Sequence, residues 1–224
     1  MIIDHTNPYY KGRWTNSGSN RFNGAYYYSK EIVENIIPLI KTDRSWVTVN
    51  IPQDNNEPQF CQCGCEHAIV FIHNNLHPEN YDWLSKYKDL ILVCGVPETC
   101  DKVKHLGTPI YLPLSVDTEE VLTHETEKTK GVCFAGRWSK HLGGKFCANH
   151  DIITGLPRDR FLDKIAQYEK CFAVGRVAIE AKVLGCEILP YDPRFPDPSV
   201  WKVLDNKDAA EILQNKLNEI EGHG

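Results

Sequence analysis

The sequence has no apolar run long enough to cross a membrane, and no charged–apolar–small leader pattern opens it. It also lacks an excess of positive charge, because 25 lysines and arginines stand against 30 aspartates and glutamates, for a formal net charge of −5. Without a basic field, tight non-specific binding of nucleic acid by the chain as a whole is not predicted. These absences predict a cytoplasmic protein with no membrane span.

Cysteine is abundant, with nine in 224 residues, and without a secretory leader such cysteines indicate reduced thiols. Four of them lie inside apolar, strand-like runs, where a thiol acts as a small hydrophobe: Cys94, Cys133, Cys171 and Cys186. Cys61, Cys63 and Cys65, with His67, have the chemistry of metal ligands. Their alternation places the side chains on one face of a strand, however, whereas structural zinc sites use pairs two to four residues apart. A loop or strand edge is the preferred interpretation, and no metal is predicted.

The first thirty residues are rich in basic and aromatic side chains. The basic members are Lys11, Arg13, Arg21 and Lys30, against Asp4 as the only acid. The aromatic members are Tyr9, Tyr10, Trp14, Phe22 and the run 26–28. Basic residues interleaved with aromatics can hold a polyanion or stack on bases and sugars, so a nucleic acid is a compatible partner. The alternative is that this segment packs across a domain.

Strand-like and helical patterns alternate along the first half of the chain. The predicted strands are 46–51, 68–73, 90–95 and 109–114. The predicted helices are 29–40 with Ser29 as its cap, 81–87, and 97–106. Strands that are apolar and separated by helices indicate a parallel sheet covered on both faces.

A second series follows the charged stretch 117–130, which is interpreted as a linker. Its predicted strands are 131–135, 151–154, 171–174 and 186–191, and its predicted helices are 157–169, 176–184 and 208–220. The predicted fold class is therefore α/β, with two small Rossmann-like domains at 1–117 and 118–224. Each has a parallel sheet, and a cleft lies between them.

The segment 171–192 has the pattern strand, glycine turn, helix, strand. A helix that follows a glycine directly behind a strand presents backbone N–H groups and a positive dipole end, which suit a phosphate. Arg176 is in its first turn and Glu180 is one turn further on the same face. Together they suit the diphosphate and the ribose hydroxyls of a nucleotide. An ordinary βαβ unit with a surface Arg–Glu pair is equally compatible with the spacing.

The second half resembles the nucleotide-sugar-binding domain of glycosyltransferases with the GT-B fold. The resemblance rests on the strand that ends in Gly136 and Arg137, on the lysines that follow it, on the helix 157–169, and on the glycine…Glu-Ala…glycine segment 175–185. The end of the first half, residues 90–95 and 108–117, is similar to the end of the acceptor domain in these enzymes and to its passage into the interdomain cleft. The resemblance implies a metal-independent glycosyltransferase that takes a nucleotide-diphosphate sugar as donor and needs no further cofactor.

The resemblance also implies roles for individual residues on the donor side. Gly136, Arg137 and one of Lys140 and Lys145 would hold the diphosphate. Charge on the departing nucleotide rises in the transition state, so these cations would act as electrostatic catalysts.

Further roles follow for the segment that opens the second helix and for the first half. Gly175 and Arg176 would approach the phosphates or the sugar, and Glu180 would accept hydrogen bonds from the ribose. His73, at the end of its strand, is the candidate acceptor-side base, with a strand-capping histidine as the alternative.

Two alternative functions stay open. Many retaining members of the family carry a glutamate eight positions before the one matched by Glu180, and here that position is Phe172. A non-catalytic protein that binds a nucleotide or sugar is therefore one alternative. A nucleotide-sugar epimerase, which shares the doubled α/β build, is the other. The acceptor, the sugar and the base are not specified by the sequence.

Overall fold

A computed structural model of the chain describes residues 24–49, 67–72, 82, 84–137, 150–190, 192–193 and 195–222. Within them the protein is α/β, with two parallel sheets of four strands each. The predicted α/β class with Rossmann-like parallel sheets is confirmed at that level. No helix in this described part is long and apolar enough to span a membrane.

The chain divides into two compact units. The first contains Tyr28–Pro113 and Lys207–Gly224, and the second contains Leu114–Asn206 with a segment that ends at Tyr27. The predicted boundary after residue 117 falls inside the second unit. The final helix, which the sequence pattern assigns to the second half, belongs to the first unit instead.

The first sheet has four strands in the order of the chain: β1 (Ser45–Val49), β2 (Ala68–Ile72), β3 (Ile91–Cys94) and β4 (Thr108–Tyr111). Helix α2 (Pro97–Val103) connects β3 to β4. Every residue of β2 and β3 is buried, as expected for central strands of a parallel sheet covered on both faces. The apolar runs therefore predict these strands correctly to within a few residues.

The C-terminal helix α6 (Asn206–Glu221) completes the first unit. The buried Arg44 donates from Nε to Glu221 Oε1 at 2.8 Å and from Nη1 to the Asp89 carbonyl at 2.9 Å. The backbone N–H of Lys41 donates to Gln214 Oε1 at 2.6 Å. Contacts between the chain's beginning and its end thus hold α6 in place.

The first described helix differs from the prediction. Helix α1 (Gly24–Glu31) continues as a π turn (Ile32–Ile36) and a 3-10 turn (Ile37–Leu39). The predicted cap Ser29 therefore lies inside a helix that has already begun. Because Pro38 has no N–H to donate, regular α-helical hydrogen bonding cannot continue past it. The predicted apolar face is nevertheless buried, at Ile32, Ile36, Ile37 and Ile40.

The second sheet also has four parallel strands: β5 (Lys130–Ala135), β6 (Asp151–Ile153), β7 (Tyr168–Phe172) and β8 (Glu187–Ile188). Their order is β6-β5-β7-β8. Its helices are α3 (Thr118–Leu122), α4 (Arg158–Ile165) and α5 (Arg176–Val183).

The predicted linker 117–130 is wrong. Asp117 Oδ1 accepts a hydrogen bond from the N–H of Glu120 at 2.9 Å, and so caps α3. Further along, Lys128 Nζ donates to the Ala166 and Leu184 carbonyls, where α4 and α5 end. Charged residues here cap helices, so a high charge content does not indicate a linker.

The predicted helix 157–169 is too long. Helix α4 ends at Ile165, and Tyr168 is the first residue of β7. The Tyr168 ring is buried, and its hydroxyl donates to Asp151 Oδ2 at 2.6 Å. The spacing of Ile165 and Tyr168 fits one face of a helix, but packing in the sheet and this hydrogen bond place Tyr168 in a strand.

Candidate functional site

Strands β5 and β7 are neighbours in the second sheet, with Phe134 opposite Phe172. From β5 the chain crosses to β6 on one side, whereas from β7 it crosses to β8 on the other side. Neighbouring parallel strands whose connections leave in opposite directions open a crevice beyond their carboxyl ends, and ligands of open α/β sheets bind there. Two of the predicted site segments, at Gly136 and at Gly175, follow these two strands.

Both glycines have backbone conformations that other residues rarely adopt. The φ angle is 148° at Gly136 and 66° at Gly175. A Cβ added to Gly175 would meet no atom within 4 Å, so the backbone turn, and not crowding, requires glycine there. The N–H of Gly136 donates to the Ile153 carbonyl at 3.1 Å and joins the ends of β5 and β6. The turn at Gly175 thus adjoins open space at the edge of the sheet.

Helix α5 begins directly after Gly175 and has eight residues. The Gly175 carbonyl accepts from the N–H groups of Ala178 at 3.0 Å and Ile179 at 3.3 Å, which starts the helical hydrogen bonding. The first turn of a helix has N–H groups with no carbonyl partner in the helix, and it forms the positive end of the dipole. The predicted strand–glycine–helix arrangement is therefore present.

Arg176 and Glu180 lie in a buried charge network, with only 8% and 2% of their surfaces exposed. Glu180 Oε1 accepts from Arg176 Nε at 2.7 Å and also from Arg158 Nη1. Arg158 donates in addition to both carboxylate oxygens of Glu120, at 2.6 and 3.3 Å. One guanidinium on α4 therefore joins the carboxylates of α3 and α5.

This network has electrostatic consequences that the sequence did not reveal. Burial alone would lower the pKa of Arg158, but Glu180 and Glu120 outweigh it, and the pKa lies above its usual value. Glu120, Arg158 and Glu180 lie far apart in the chain, so no spacing rule identifies Arg158 or Glu120 from the sequence. Arg158 and Glu120 are the functional candidates that sequence reasoning missed.

Tyr27, from the basic aromatic opening segment, packs on the same network. Its carbonyl accepts from Arg176 Nη1 at 3.1 Å. The guanidinium carbons of Arg158 and Arg176 lie 4.9 and 5.8 Å from the centre of its ring, which are cation–π distances. At Tyr27 the opening segment therefore packs against the second unit, as in the interpretation that it packs across a domain instead of binding a polyanion.

A pocket of ≈ 380 Å³ lies at the carboxyl ends of β7 and β8. Its walls include Ala173 and Val174 after β7, Leu189 after β8, and Phe195. Asp192 is a buried acidic residue in the lining. A mostly apolar pocket with a carboxylate, beside the start of α5, suits the base or sugar of a nucleotide.

Among the described residues, one group could hold a metal ion: ligand atoms of Glu120, His124 and Asp159 lie within 4.8 Å of one another. Glu120 already binds Arg158, and His124 Nδ1 lies 2.7 Å from Asp163 Oδ1. A metal would have to compete with these ionic contacts.

The predicted cysteine cluster at positions 61, 63 and 65 lies outside the described residues. Its companion His67 contacts the Asp89 carboxylate through Nδ1, and its Nε2 lies 3.6 Å from Asp43 Oδ1. The described contacts of His67 are therefore with carboxylates.

The remaining predicted site residues divide into two groups. Arg137 is exposed directly after Gly136, at the crevice. His73, Lys140 and Lys145 lie outside the described residues. Comparisons of the chain with protein-family models, with curated proteins and with solved structures find no match.

Proposed function

We propose that the second unit binds a nucleotide-diphosphate sugar at the carboxyl edge of its sheet, and that the chain is a glycosyltransferase of GT-B type. The observation that carries this proposal is the reversal of strand order between β5 and β7. The ends of both strands continue into glycines with positive φ, one followed by the exposed Arg137 and the other by α5. Such a crevice is where open α/β sheets bind their ligands.

In this proposal the diphosphate lies across the two strand ends. Arg137 and the positive end of α5 neutralise its charge, which grows as the nucleotide departs, so they stabilise the transition state more than the ground state. The apolar pocket beside Asp192 takes the base or the ribose.

Arg176 and Glu180 act in this proposal by positioning α5 instead of touching the ligand. Both are buried, and their charges are satisfied by each other and by Arg158. A rigid α5 keeps its N–H groups aimed at the phosphate before the ligand arrives, which reduces the ordering cost of binding. His73 as acceptor-side base, and Lys140 or Lys145 on the diphosphate, stay predictions.

Calorimetric titration with uridine, adenosine and guanosine diphosphates tests the binding step. We expect the wild-type chain to bind at least one of them, and Arg137→Ala to bind it roughly tenfold more weakly, a loss of about 1.4 kcal/mol. Lys164→Ala is the matched control, because Lys164 is an exposed cation in the last turn of α4, at the opposite edge of the sheet. No binding by the wild type, or an equal loss in both variants, contradicts the proposed site.

One observation favours a second candidate, a protein that binds the nucleotide sugar without transferring it. Phe172, at the position matched to a glutamate in retaining members of the family, is buried and forms a core cluster with Phe134. Its ring also meets His150 edge-on, with centroids 5.9 Å apart. A core aromatic at this position cannot supply a carboxylate.

Product analysis separates the candidates once a binding nucleotide is known. A transferase releases free nucleotide from its sugar donor, at least by slow hydrolysis, whereas a binding protein returns the donor intact. Conversion of the donor to an isomer without any acceptor indicates an epimerase instead.

A further inference from the structure

The pocket at the carboxyl ends of β7 and β8 has a lining that is poor in hydrogen-bond donors. The described residues that line it are Ala173, Val174, Leu189, Pro190, Asp192, Pro193, Phe195, Pro196, Asp197 and Pro198. Apart from the two aspartates, all of these side chains are apolar. An ionised carboxylate only accepts hydrogen bonds. With both aspartates ionised, no side chain of this described lining therefore donates a hydrogen bond.

The backbone of the described lining adds few donors. Four of the lining residues are prolines, which have no N–H group: Pro190, Pro193, Pro196 and Pro198. The N–H of Leu189 already donates to the Cys171 carbonyl at 3.0 Å, and the N–H of Phe195 donates to the Asp192 carbonyl, also at 3.0 Å. This part of the lining thus has more acceptors than donors, and a complementary ligand has to bring the donors itself.

The two aspartates differ in what they can offer such a ligand. Asp197 is exposed, and its Oδ1 accepts from the N–H of Ser199 at 2.9 Å, so it caps the 3-10 turn Pro198–Val200. Asp192 is only 8% exposed. Its carboxylate has about four lone-pair sites, enough to accept from a ligand in addition to its contacts within the protein. Neither lysine nor arginine is among the described lining residues, so the two carboxylates disfavour a phosphate here.

The apolar walls suit the faces of a planar ring. Val174, Leu189 and Phe195 pack against the buried cluster of Phe134 and Phe172. Walls supported by the core stay in place when a ligand is absent, and the lining prolines have a fixed φ. A ring that enters the pocket therefore orders little of the protein, which reduces the cost of binding. The volume of ≈ 380 Å³ lies within the range of small-molecule sites.

We propose that this pocket binds guanine, so that the sugar donor is a guanosine diphosphate sugar; this inference rests on the proposed function. Guanine presents its N1–H and its 2-amino group side by side, and the two oxygens of the Asp192 carboxylate accept them as a pair. Uracil has one N–H between two carbonyls, whereas adenine and cytosine have an amino group beside an acceptor nitrogen. With these bases an acceptor faces the carboxylate, which weakens binding.

Calorimetric titration of the wild-type chain with a series of nucleoside diphosphates tests the base preference. We expect guanosine diphosphate to bind most tightly. Inosine diphosphate, which lacks only the 2-amino group, should bind about tenfold more weakly. Xanthosine diphosphate has a carbonyl in place of that amino group and should lose at least as much, as should uridine and adenosine diphosphates.

The variant Asp192→Asn tests the residue that reads the base. Its amide group donates to the 2-carbonyl of xanthine and accepts from N1–H, so the variant should prefer xanthosine over guanosine diphosphate. Asp197→Asn is the matched control, because it removes the same charge from the same lining at an exposed residue. It should keep the preference for guanine.

The ribose is the competing partner for the Asp192 carboxylate, and 2′-deoxyguanosine diphosphate tests it. Removal of the 2′-hydroxyl should change the affinity by the same factor in the wild type and in Asp192→Asn. A loss that occurs in the wild type and disappears in the variant would place the ribose on Asp192 and overturn the inference.

The outcomes separate this inference from the proposed function. If no nucleoside diphosphate binds, both are contradicted. If uridine or adenosine diphosphate binds as tightly as guanosine diphosphate, the nucleotide site stands and the guanine assignment fails. A guanine preference that persists in Asp192→Asn also overturns the assignment. Should that variant not fold, the comparison of guanosine with inosine diphosphate in the wild type still decides, since equal affinities contradict a paired contact with the carboxylate.

Discussion

The two sheets of this protein have the same number of strands and the same parallel pairing, yet they differ in connectivity. The first runs β1-β2-β3-β4, so each crossover moves one strand further in the same direction. The second runs β6-β5-β7-β8, so the direction reverses between β5 and β7. Because a crevice opens only where neighbouring connections diverge, only the second sheet has a candidate site of this kind among the described strands. Connection order, and not strand number, distinguishes the sheet that has the candidate site.

The two units also differ in the reason that a glycine is required next to a strand. A Cβ on Gly107, which precedes β4, would lie 2.4 Å from the Leu90 carbonyl oxygen, so close packing requires glycine in the first unit. Gly175 has open space around it but a φ of 66°, so a backbone turn requires glycine in the second. Gly107 allows the chain to pack closely against Leu90, whereas Gly175 allows the backbone turn after which α5 begins.

The largest expected effect is the loss of stability when one carboxylate is removed from the buried ionic contacts of each unit. Glu180→Ala removes the carboxylate that the buried Arg176 shares with the partly buried Arg158, and we expect the second unit to lose about 3–5 kcal/mol of unfolding free energy. In the first unit, Glu221→Ala leaves Arg44 with Asp89, and we expect a loss of only about 1–2 kcal/mol. Urea unfolding of both variants measures the difference. Equal losses would mean that the network on α5 is no more critical than the contact on α6.

A smaller effect is expected at the two glycines. Gly175→Ala forces a strained backbone and should cost about 1–3 kcal/mol, and it should also weaken nucleoside diphosphate binding because α5 starts there. Gly107→Ala should cost a similar amount, about 1–3 kcal/mol, through overpacking against Leu90. It should leave the affinity of the folded protein unchanged. Calorimetry at a temperature where both variants are folded makes this comparison, and loss of affinity in both would contradict a site confined to the second sheet.

The smallest expected effect is a pH dependence. Burial, and then the hydrogen bond to Asp151, raise the pKa of Tyr168 above its usual value. A raised pKa in the folded state means that the stabilisation is complete below the unfolded value of about 10 and is lost as the pH rises beyond it. Tyr168→Phe should reduce the fall in stability between about pH 9 and about pH 11.

Tyr111 of the first sheet provides the comparison for this pH dependence. Burial first, and then the charges of Cys100 and Glu98, also raise its pKa, but it is partly exposed. Tyr111→Phe should therefore change the alkaline slope less than Tyr168→Phe. A larger change in Tyr111→Phe would contradict the assigned causes.

Local patterns in the sequence predict β2 and β3 to within a residue at each end, because continuous apolar runs favour burial on both faces of a sheet. In the second sheet the prediction is less accurate, since β7 begins at Tyr168 instead of Cys171 and β8 is limited to Glu187–Ile188. Local patterns do not predict strand order in the second sheet. Strands β6 and β7 both pair with β5, one on each side, and this depends on tertiary packing. The exchange of helix for strand at Tyr168 has the same origin, since an isolated spacing of three or four residues fits either element.

The candidate site was predictable only in part for the same reason. Its glycine turns follow from local sequence, since a strand followed by glycine and a helix is recognisable. The charge network does not, because Glu120, Arg158 and Glu180 come together from three separate helices. The sequence therefore predicts Arg176 and Glu180 as ligand contacts, whereas the structure shows both side chains buried and bonded to each other, which is why we propose a positioning role for them.

The placement of α6 has a consequence for how the chain is made. The first unit needs Gln214 and Glu221 for its contacts with Lys41 and Arg44, yet the whole of Leu114–Asn206 is synthesised before them. Chains fold as they emerge from the ribosome, and units with all their residues present fold earlier. Of the two units, the first is therefore completed second, because its strands β1–β4 are translated before Leu114–Asn206 and its helix α6 is translated after them.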